Sequence, residues 1–209
     1  MTDESRVPAA NICGLVLAGG RSRRFGRDKA AIEVAAEPLL SRTARILLSV
    51  LDDVFVSVRA DQIGDELRSR FQLIPDQDAG LGPAAGILAA HGKRPHAAWL
   101  VVACDMPLLD ADAIRHLIEL RAGHRAATAY RSPADGLPEP LCAIYEPDTL
   151  ARFQRQASAG KGLSPRGLLT HADVELIDPQ RPELLSNVNT VDDLDRLTGA
   201  EELRSGGAK

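Results

Sequence analysis

Ile12-Cys13-Gly14-Leu15-Val16-Leu17-Ala18 runs directly into Gly19-Gly20-Arg21-Ser22-Arg23-Arg24-Phe25-Gly26-Arg27-Asp28-Lys29. The first seven residues form a short, continuous apolar run, which predicts a strand buried on both faces. The loop that follows sits where this strand ends, the edge at which open α/β sheets place their ligands. Gly19 and Gly20 lack a Cβ, so the backbone can turn sharply and bring N–H groups close to a phosphate. Arg21, Arg23, Arg24, Arg27 and Lys29 put five positive charges into nine residues of a chain whose net charge is −4. A polyphosphate is the natural partner of such a cluster. The plainer alternative is a solvated basic turn whose glycines serve only the bend.

Two well-known phosphate loops do not fit. Arg27, not Lys, follows Gly26, so GxxxxGK[ST] is absent; glycines at 19, 20 and 26 do not make GxGxxG. A P-loop kinase or a hydride-transfer enzyme is thereby disfavoured.

Working outward, strands and helices alternate. Helices are expected over Pro38–Leu51, around Ile63, Leu67 and Phe71, from Pro83 through Ala90, and through Ile114–Leu120 with Asp110 as cap. Strands are expected over Asp53–Val58, Leu73–Ile74 and Trp99–Ala103. This alternation predicts an α/β fold with a largely parallel sheet and helices on both faces. Beyond Ala126 the pattern loosens, with strands at Leu141–Tyr145 and Val174–Ile177 and helices at Asp148–Gln156 and Val191–Leu197. The 209 residues suit a single domain, 1–209, with 1–10 and 204–209 expected to be flexible.

Composition narrows the class. Hydrophobic content is 44% and aromatics only 3%, so Ala, Leu, Val and Ile must build the core. The acidic balance argues against bulk nucleic-acid binding. No apolar stretch approaches the ~20 residues of a membrane span, and the first ten residues lack the features of a signal peptide. Cys13, Cys104 and Cys142 are odd in number, far apart and set in apolar runs, which predicts buried thiols rather than a disulfide framework. A cytoplasmic location is expected.

Acidic strand ends supply the next candidates. Asp105 follows the run Trp99–Ala103 on the same sheet edge as the glycine loop. A lone carboxylate there suits Mg²⁺, which takes one or two carboxylates plus phosphate oxygens and water; alternatively it caps the next helix. Asp76 ends a short strand before Gly80-Leu81-Gly82-Pro83 and either binds the nucleoside or starts the turn. Asn187 and Asn189, in Ser186-Asn187-Val188-Asn189-Thr190, would point the same way if extended, while Asn189 or Thr190 can cap the last helix.

Taken together, Leu17–Lys29 matches the signature L-A-G-G-x-S-x-R-x-G-x-D-K at every defined position. Gly82-Pro83-Ala84-Ala85-Gly86, Cys104-Asp105-Met106-Pro107 and Asn187-Val188-Asn189-Thr190 follow in register. From about Ile12 to Leu197 the chain thus resembles the MobA-like nucleotidyltransferase family, which completes the molybdenum cofactor, and within it the guanylyl branch. The resemblance implies a Rossmann-like three-layer α/β/α sandwich of the nucleotide-diphospho-sugar transferase type that binds GTP and Mg²⁺. It implies that Leu17, Ala18, Gly19, Gly20 and Arg24 line the nucleotide, with Lys29 on the phosphates and Asp76 on the nucleotide. Asp105 would ligate the metal, and Asn187 and Asn189 would face molybdopterin, the acceptor; transient contact with other molybdenum cofactor proteins is implied as well. Gly20, where the cytidylyl branch usually carries Ala, points to guanine.

Two departures stand out. Ser57, Val58 and Arg59 occupy a place where the family often has a nucleotide-contacting Asn, and Pro138-Glu139-Pro140 stands where some members have His-Pro. Glu139 either faces the acceptor or ends a rigid loop before Leu141. His91, His96, His116, His124 and His171 form no base-like constellation and read as surface or structural. The competing readings are a molybdopterin cytidylyltransferase, a sugar-phosphate nucleotidyltransferase and, outside the enzymes, a nucleotide-binding subunit of a cofactor-insertion complex.

Overall fold

The computed structural model describes residues 12–19, 28–76, 79–160 and 164–188, together with Asp193 and Arg196. In chain order the elements are β1 (Ile12–Leu17), the short pair β2 (Glu33–Val34) and β3 (Glu37–Pro38), α1 (Leu39–Leu48), β4 (Val54–Val58), β5 (Gln72–Pro75) and α2 (Pro83–Lys93). β6 (Ala98–Ala103), α3 (Ala111–Glu119), β7 (Ala127–Arg131), β8 (Pro138–Tyr145), α4 (Pro147–Ser158), α5 (Pro165–Thr170) and β9 (Val174–Ile177) follow.

Seven strands form one sheet in the order β5-β4-β1-β6-β8-β7-β9. β5, β4, β1 and β6 run parallel, and β9 runs parallel to β7, whereas β8 is antiparallel to both β6 and β7. The chain leaves β1 for β4 and β5 on one side, then returns through α2 to β6 on the other. β1 and β6 therefore flank the switch point, whose C-terminal edge is where open sheets hold ligands.

The sheet is covered on both faces because its strands alternate between two cores. Leu100 and Val102 of β6 and Val16 of β1 pack with Leu40, Ala44 and Leu47 of α1 and Ile114 and Leu117 of α3. Trp99 and Val101 of β6 and Cys13 and Leu15 of β1 pack with Ile87 and Ala90 of α2, Phe153 of α4 and Leu168 of α5. This gives the expected three layers, with the residues from Ile12 to Ala103 acting as the parallel half. At about 25 cal/mol per Å² of apolar surface, such two-sided burial outweighs any single polar contact in the sheet.

Local signals mostly hold. Asp110 caps α3, its Oδ1 accepting from Ala113 N at 2.8 Å, and Pro83 opens α2, which runs three residues past Ala90 to Lys93. α1 is shorter than its apolar spacing suggested, starting after Pro38 and ending at Leu48.

Two expectations need correction, and two elements carry no expectation. No α-helix forms around Ile63, Leu67 and Phe71; two 3₁₀ turns, Ala60–Gln62 and Arg68–Arg70, stand there instead. Asp65 Oδ1 accepts from Arg68 N at 2.9 Å, a side-chain bond that competes with helix, and Arg68 is drawn into the interior. Pro138-Glu139-Pro140 is not a loop but the first three residues of β8. β7 and α5 were not anticipated: a five-residue strand, Ala-Thr-Ala-Tyr-Arg, and a six-residue helix carry too little periodicity to read. The expected flexible ends 1–10 and 204–209, and the helix Val191–Leu197 apart from Asp193 and Arg196, lie outside the described residues.

Candidate functional site

Every side chain that matters here stands at the C-terminal edge of the parallel strands. Ala18 and Gly19 follow β1, Arg59 follows β4, Asp76 follows β5 and Asp105 lies just beyond β6. The backbone knits these ends together: Ala18 N donates to Ser57 O at 3.2 Å, Cys104 N to Leu17 O at 3.4 Å and Asp76 N to Val58 O at 2.8 Å.

Lys29 and Asp105, 76 residues apart in sequence, meet here: Lys29 Nζ lies 3.0 Å from Asp105 Oδ2. Asp28 sets up that encounter. Its Oδ1 accepts from Ala30 N at 3.1 Å and caps the 3₁₀ turn Lys29–Ala31 that carries the lysine. Among the described residues, the other carboxylate oxygen, Asp105 Oδ1, is buried and has no hydrogen-bond partner. A buried, unsatisfied carboxylate oxygen beside an ammonium is costly unless a further cation or donor completes it.

Asp76 takes a hydrogen bond from Ser57 Oγ on its Oδ1 at 2.6 Å. A Cβ placed on Gly19 would sit 3.0 Å from Asp76 Oδ2, so this carboxylate lies against the glycine loop's first residue. Burial pushes the Asp76 carboxyl above its ordinary range, and the Ser57 hydrogen bond and the Arg59 charge only partly oppose this. Arg59 itself donates from Nη1 to Gly19 O at 2.5 Å. Thus Ser57 and Arg59, two of the three residues that stand where the resemblance leads one to expect an Asn, hold Asp76 and Gly19 in place.

α2 packs close behind. A Cβ on Gly86 would come within 2.2 Å of Ser57 Oγ and 2.9 Å of Leu17 Cδ2, so only glycine allows the helix this near β1 and β4. Gly82, at φ +56°, supplies the left-handed bend that starts the helix.

On the other side, Val188 N donates to Asp105 O at 2.9 Å, which sets the exposed Asn187 next to the Asp105 backbone. Glu139 is 6% exposed at the start of β8, accepts from Leu141 N on Oε1 at 3.1 Å and lies 3.6 Å from Arg166 through Oε2. Burial raises its carboxyl above the usual range; the Leu141 N–H and Arg166 pull the other way, and the charge of Asp105 contributes to the rise.

The structure thus brings Leu17, Ala18, Gly19, Lys29, Asp76, Asp105 and Asn187 to one edge. Gly20, Arg21, Arg23, Arg24, Arg27 and Asn189 lie outside the described residues. Cys13, Cys104 and Cys142 are buried and free, and burial pushes the Cys104 thiol up to about 12. Among the histidines, His91 is buried on α2 and His116 meets Tyr130 Oη through Nδ1 at 3.1 Å. Sequence reasoning overlooked Arg68, 1% exposed, which reaches the backbone of Ala18 from a segment read as helix. An Arg in an otherwise amphipathic stretch gave no signal of its own. Among the described residues no helix is long and apolar enough to cross a membrane.

A doubly covered, mostly parallel sheet with an ammonium and a carboxylate paired at its switch point is a doubly wound α/β architecture, whose ligands sit at that edge. The description "MobA-like NTP transferase domain" matches residues 14–175, and the chain belongs to that family. A probable molybdenum cofactor guanylyltransferase of Pelotomaculum thermopropionicum is 34% identical, with 92% of this chain and 95% of that protein covered. A molybdenum cofactor guanylyltransferase of Pseudomonas putida is 30% identical over 84% of this chain and 92% of its own length. The chain spans only 55% of a third relative, a molybdenum cofactor biosynthesis bifunctional protein of Synechocystis, at 32% identity over 93% of this chain. In fold the chain is similar to the molybdopterin-guanine dinucleotide biosynthesis protein A of Archaeoglobus fulgidus, with TM-score 0.71, 24% identity and coverage of 91% and 98%.

Proposed function

We propose that this protein transfers GMP from GTP to molybdopterin, giving molybdopterin guanine dinucleotide and pyrophosphate. The observation that carries the reading is the pairing of Lys29 Nζ with Asp105 Oδ2 at 3.0 Å while Asp105 Oδ1 stays buried and, among the described residues, unpartnered. That donor set fits Mg²⁺: one carboxylate oxygen is available, and this ion prefers to fill its remaining positions with phosphate oxygens and water. Among the described residues no cluster of three or more His, Cys, Asp or Glu is placed to form a full protein cage, which accords with a metal held jointly with substrate. Bound at Asp105, Mg²⁺ would supply charge neutralisation at the α-phosphate.

The chain's own residues do the rest. Leu17, Ala18 and Gly19, with Gly20 and Arg24 beyond them, line the nucleotide. Lys29 neutralises charge on the phosphates as pyrophosphate leaves. Asp76, held by Ser57, contacts the nucleotide. Asn187, fixed beside Asp105 through Val188, faces the acceptor together with Asn189. The terminal phosphate of molybdopterin is already anionic and attacks the α-phosphorus in line, so positioning matters more than a strong general base. The five histidines take no part. Use of GTP accords with a cytoplasmic location, and delivery of a scarce acceptor accords with transient contact with other molybdenum cofactor proteins.

Pyrophosphate release measured with GTP, CTP, ATP and UTP, each with molybdopterin or a sugar 1-phosphate, tests the proposal. GTP with molybdopterin is expected to be fastest. A faster reaction with CTP would make the protein a cytidylyltransferase, and turnover only with the sugar phosphate would move it to that class. Binding of GTP without turnover on any acceptor would leave a nucleotide-binding subunit.

A further inference from the structure

We infer that Arg68 is a positioning residue that clamps the two ends of the glycine–arginine loop and thereby sets Lys29 against Asp105. Its guanidinium is 1% exposed. Nη2 donates to Ala18 O at 3.0 Å, the last carbonyl before Gly19-Gly20, and to Asp28 Oδ1 at 3.0 Å. Nη1 lies 2.7 Å from Asp28 Oδ2 and 3.2 Å from Asp65 Oδ1. One planar fork therefore grips the residue at which the loop leaves β1 and the residue at which the loop returns, 10 positions later in the sequence.

The clamp extends to the site through covalent neighbours. Asp28 caps the turn whose first residue is Lys29, and Lys29 meets Asp105 at 3.0 Å. Freeing the Asp28 carboxylate from Arg68 would free the turn that aims the ammonium. On the other stem, Ala18 precedes Gly19, whose carbonyl Arg59 holds. Burial opposes the charge on Arg68, and Asp28 and Asp65 outweigh it, so the guanidinium stays firmly protonated. Burying a charged group to reach a backbone carbonyl is an expensive way to stabilise a surface turn; fixing a long phosphate-binding loop at both ends gives the arrangement a purpose.

This inference rests on the proposed GTP site, and the experiment separates the two. Arg68→Lys, Arg68→Met, Asp28→Asn and Asp65→Asn are compared with the wild-type chain for Tm, for kcat and KM of pyrophosphate release from GTP and molybdopterin, and for amide hydrogen exchange over residues 17–31. Misplacing the loop by about 1 Å is expected to lower kcat/KM for GTP ~100-fold in Arg68→Met, shared between a higher KM and a lower kcat. Arg68→Lys should not rescue this, because one ammonium cannot span both stems. Asp28→Asn should move in the same direction by ~10-fold. Asp65 touches the same guanidinium but neither stem, so Asp65→Asn should lower Tm and leave kcat and KM within about twofold, the scale of a surface change. In the Arg68 and Asp28 variants exchange should quicken over 17–31 and not in β6 or α2.

A Tm loss with wild-type kcat and KM in Arg68→Met, or full rescue by Arg68→Lys, overturns the clamp and leaves Arg68 a stability residue. If the Arg68 variants do not fold, Asp28→Asn decides: wild-type kinetics and exchange overturn the inference, and slower turnover with faster stem exchange upholds it. If the wild-type chain releases no pyrophosphate, the proposed reaction fails. Exchange in the Asp28 and Arg68 variants then judges the clamp alone: local quickening supports it and an unchanged pattern overturns it.

Discussion

The two halves of the sheet use charge for different purposes. In the parallel half, β5-β4-β1-β6, a carboxylate at a strand end is left incomplete: among the described residues Asp105 Oδ1 is buried without a partner. In the half built on β8, β7 and β9, the two buried carboxylates, Glu139 and Glu146, have partners on both oxygens. Arg121 and Glu146, 11% and 7% exposed, form a two-bond pair at 2.7 Å on each arm, and Glu139 is tied to Leu141 N–H and Arg166. On the proposed reading the orphaned oxygen of Asp105 leaves room for a cation, whereas the paired carboxylates brace the fold. The distinction would be lost if buried charge were simply counted.

The sharpest way to break this contrast is Asp105→Ala, which is expected to cut the rate of pyrophosphate release by about 10³-fold or more, as for loss of a metal ligand or a preorganised charge. Circular dichroism and Tm should change little, since the substitution removes the orphaned Oδ1 together with the Lys29 contact of Oδ2, and the two effects oppose each other. An undiminished rate would defeat the metal assignment. Arg121→Met should act oppositely. Removing one partner of a largely buried pair is expected to cost ~3 kcal/mol of stability by chemical denaturation, with kcat of the folded fraction unchanged. A kinetic defect there would erase the division between the halves.

Lys29→Ala is expected to lower kcat/KM for GTP by ~10²-fold through lost charge stabilisation. Unchanged GTP affinity and rate would mean that Lys29 serves the fold, not the phosphates. The smallest expected effect concerns Glu139. Burial, its main cause, raises the folded-state pKa of this carboxyl, so the protonated form favours the folded chain. That contribution is fully present below the ordinary carboxylate range and is lost as pH rises through the raised value. Glu139→Gln should therefore gain in Tm relative to the wild type as pH goes from 4 to 8. A relative loss on that pH rise would show that the Arg166 contact outweighs burial.

Much of the parallel half was legible because its signals are local. An unbroken apolar run, a glycine bend, Pro83 at a helix start and Asp110 at a helix cap each depend on residues a few positions apart. Asp105 could be named because it stands two positions beyond the end of such a run. The second half was harder to read: β7 is five residues long, α5 six, and β8 begins on Pro138-Glu139-Pro140, where two prolines argue for a loop. β8 tolerates them at its first residues, before its ladder with β6 begins at Cys142 opposite Val102.

By itself, then, the order of residues determined the alternation of strand and helix, the basic glycine loop at the end of β1 and the chemical types that could serve a nucleotide. Only the folded chain decided which of those groups meet. The Lys29–Asp105 contact spans 76 positions, the Ser57–Asp76 bond 19, and the Arg68 bridge to Ala18 spans 50. Such meetings depend on strand order and register, which are set by how two hydrophobic cores close over the sheet, and no short stretch of sequence carries that information.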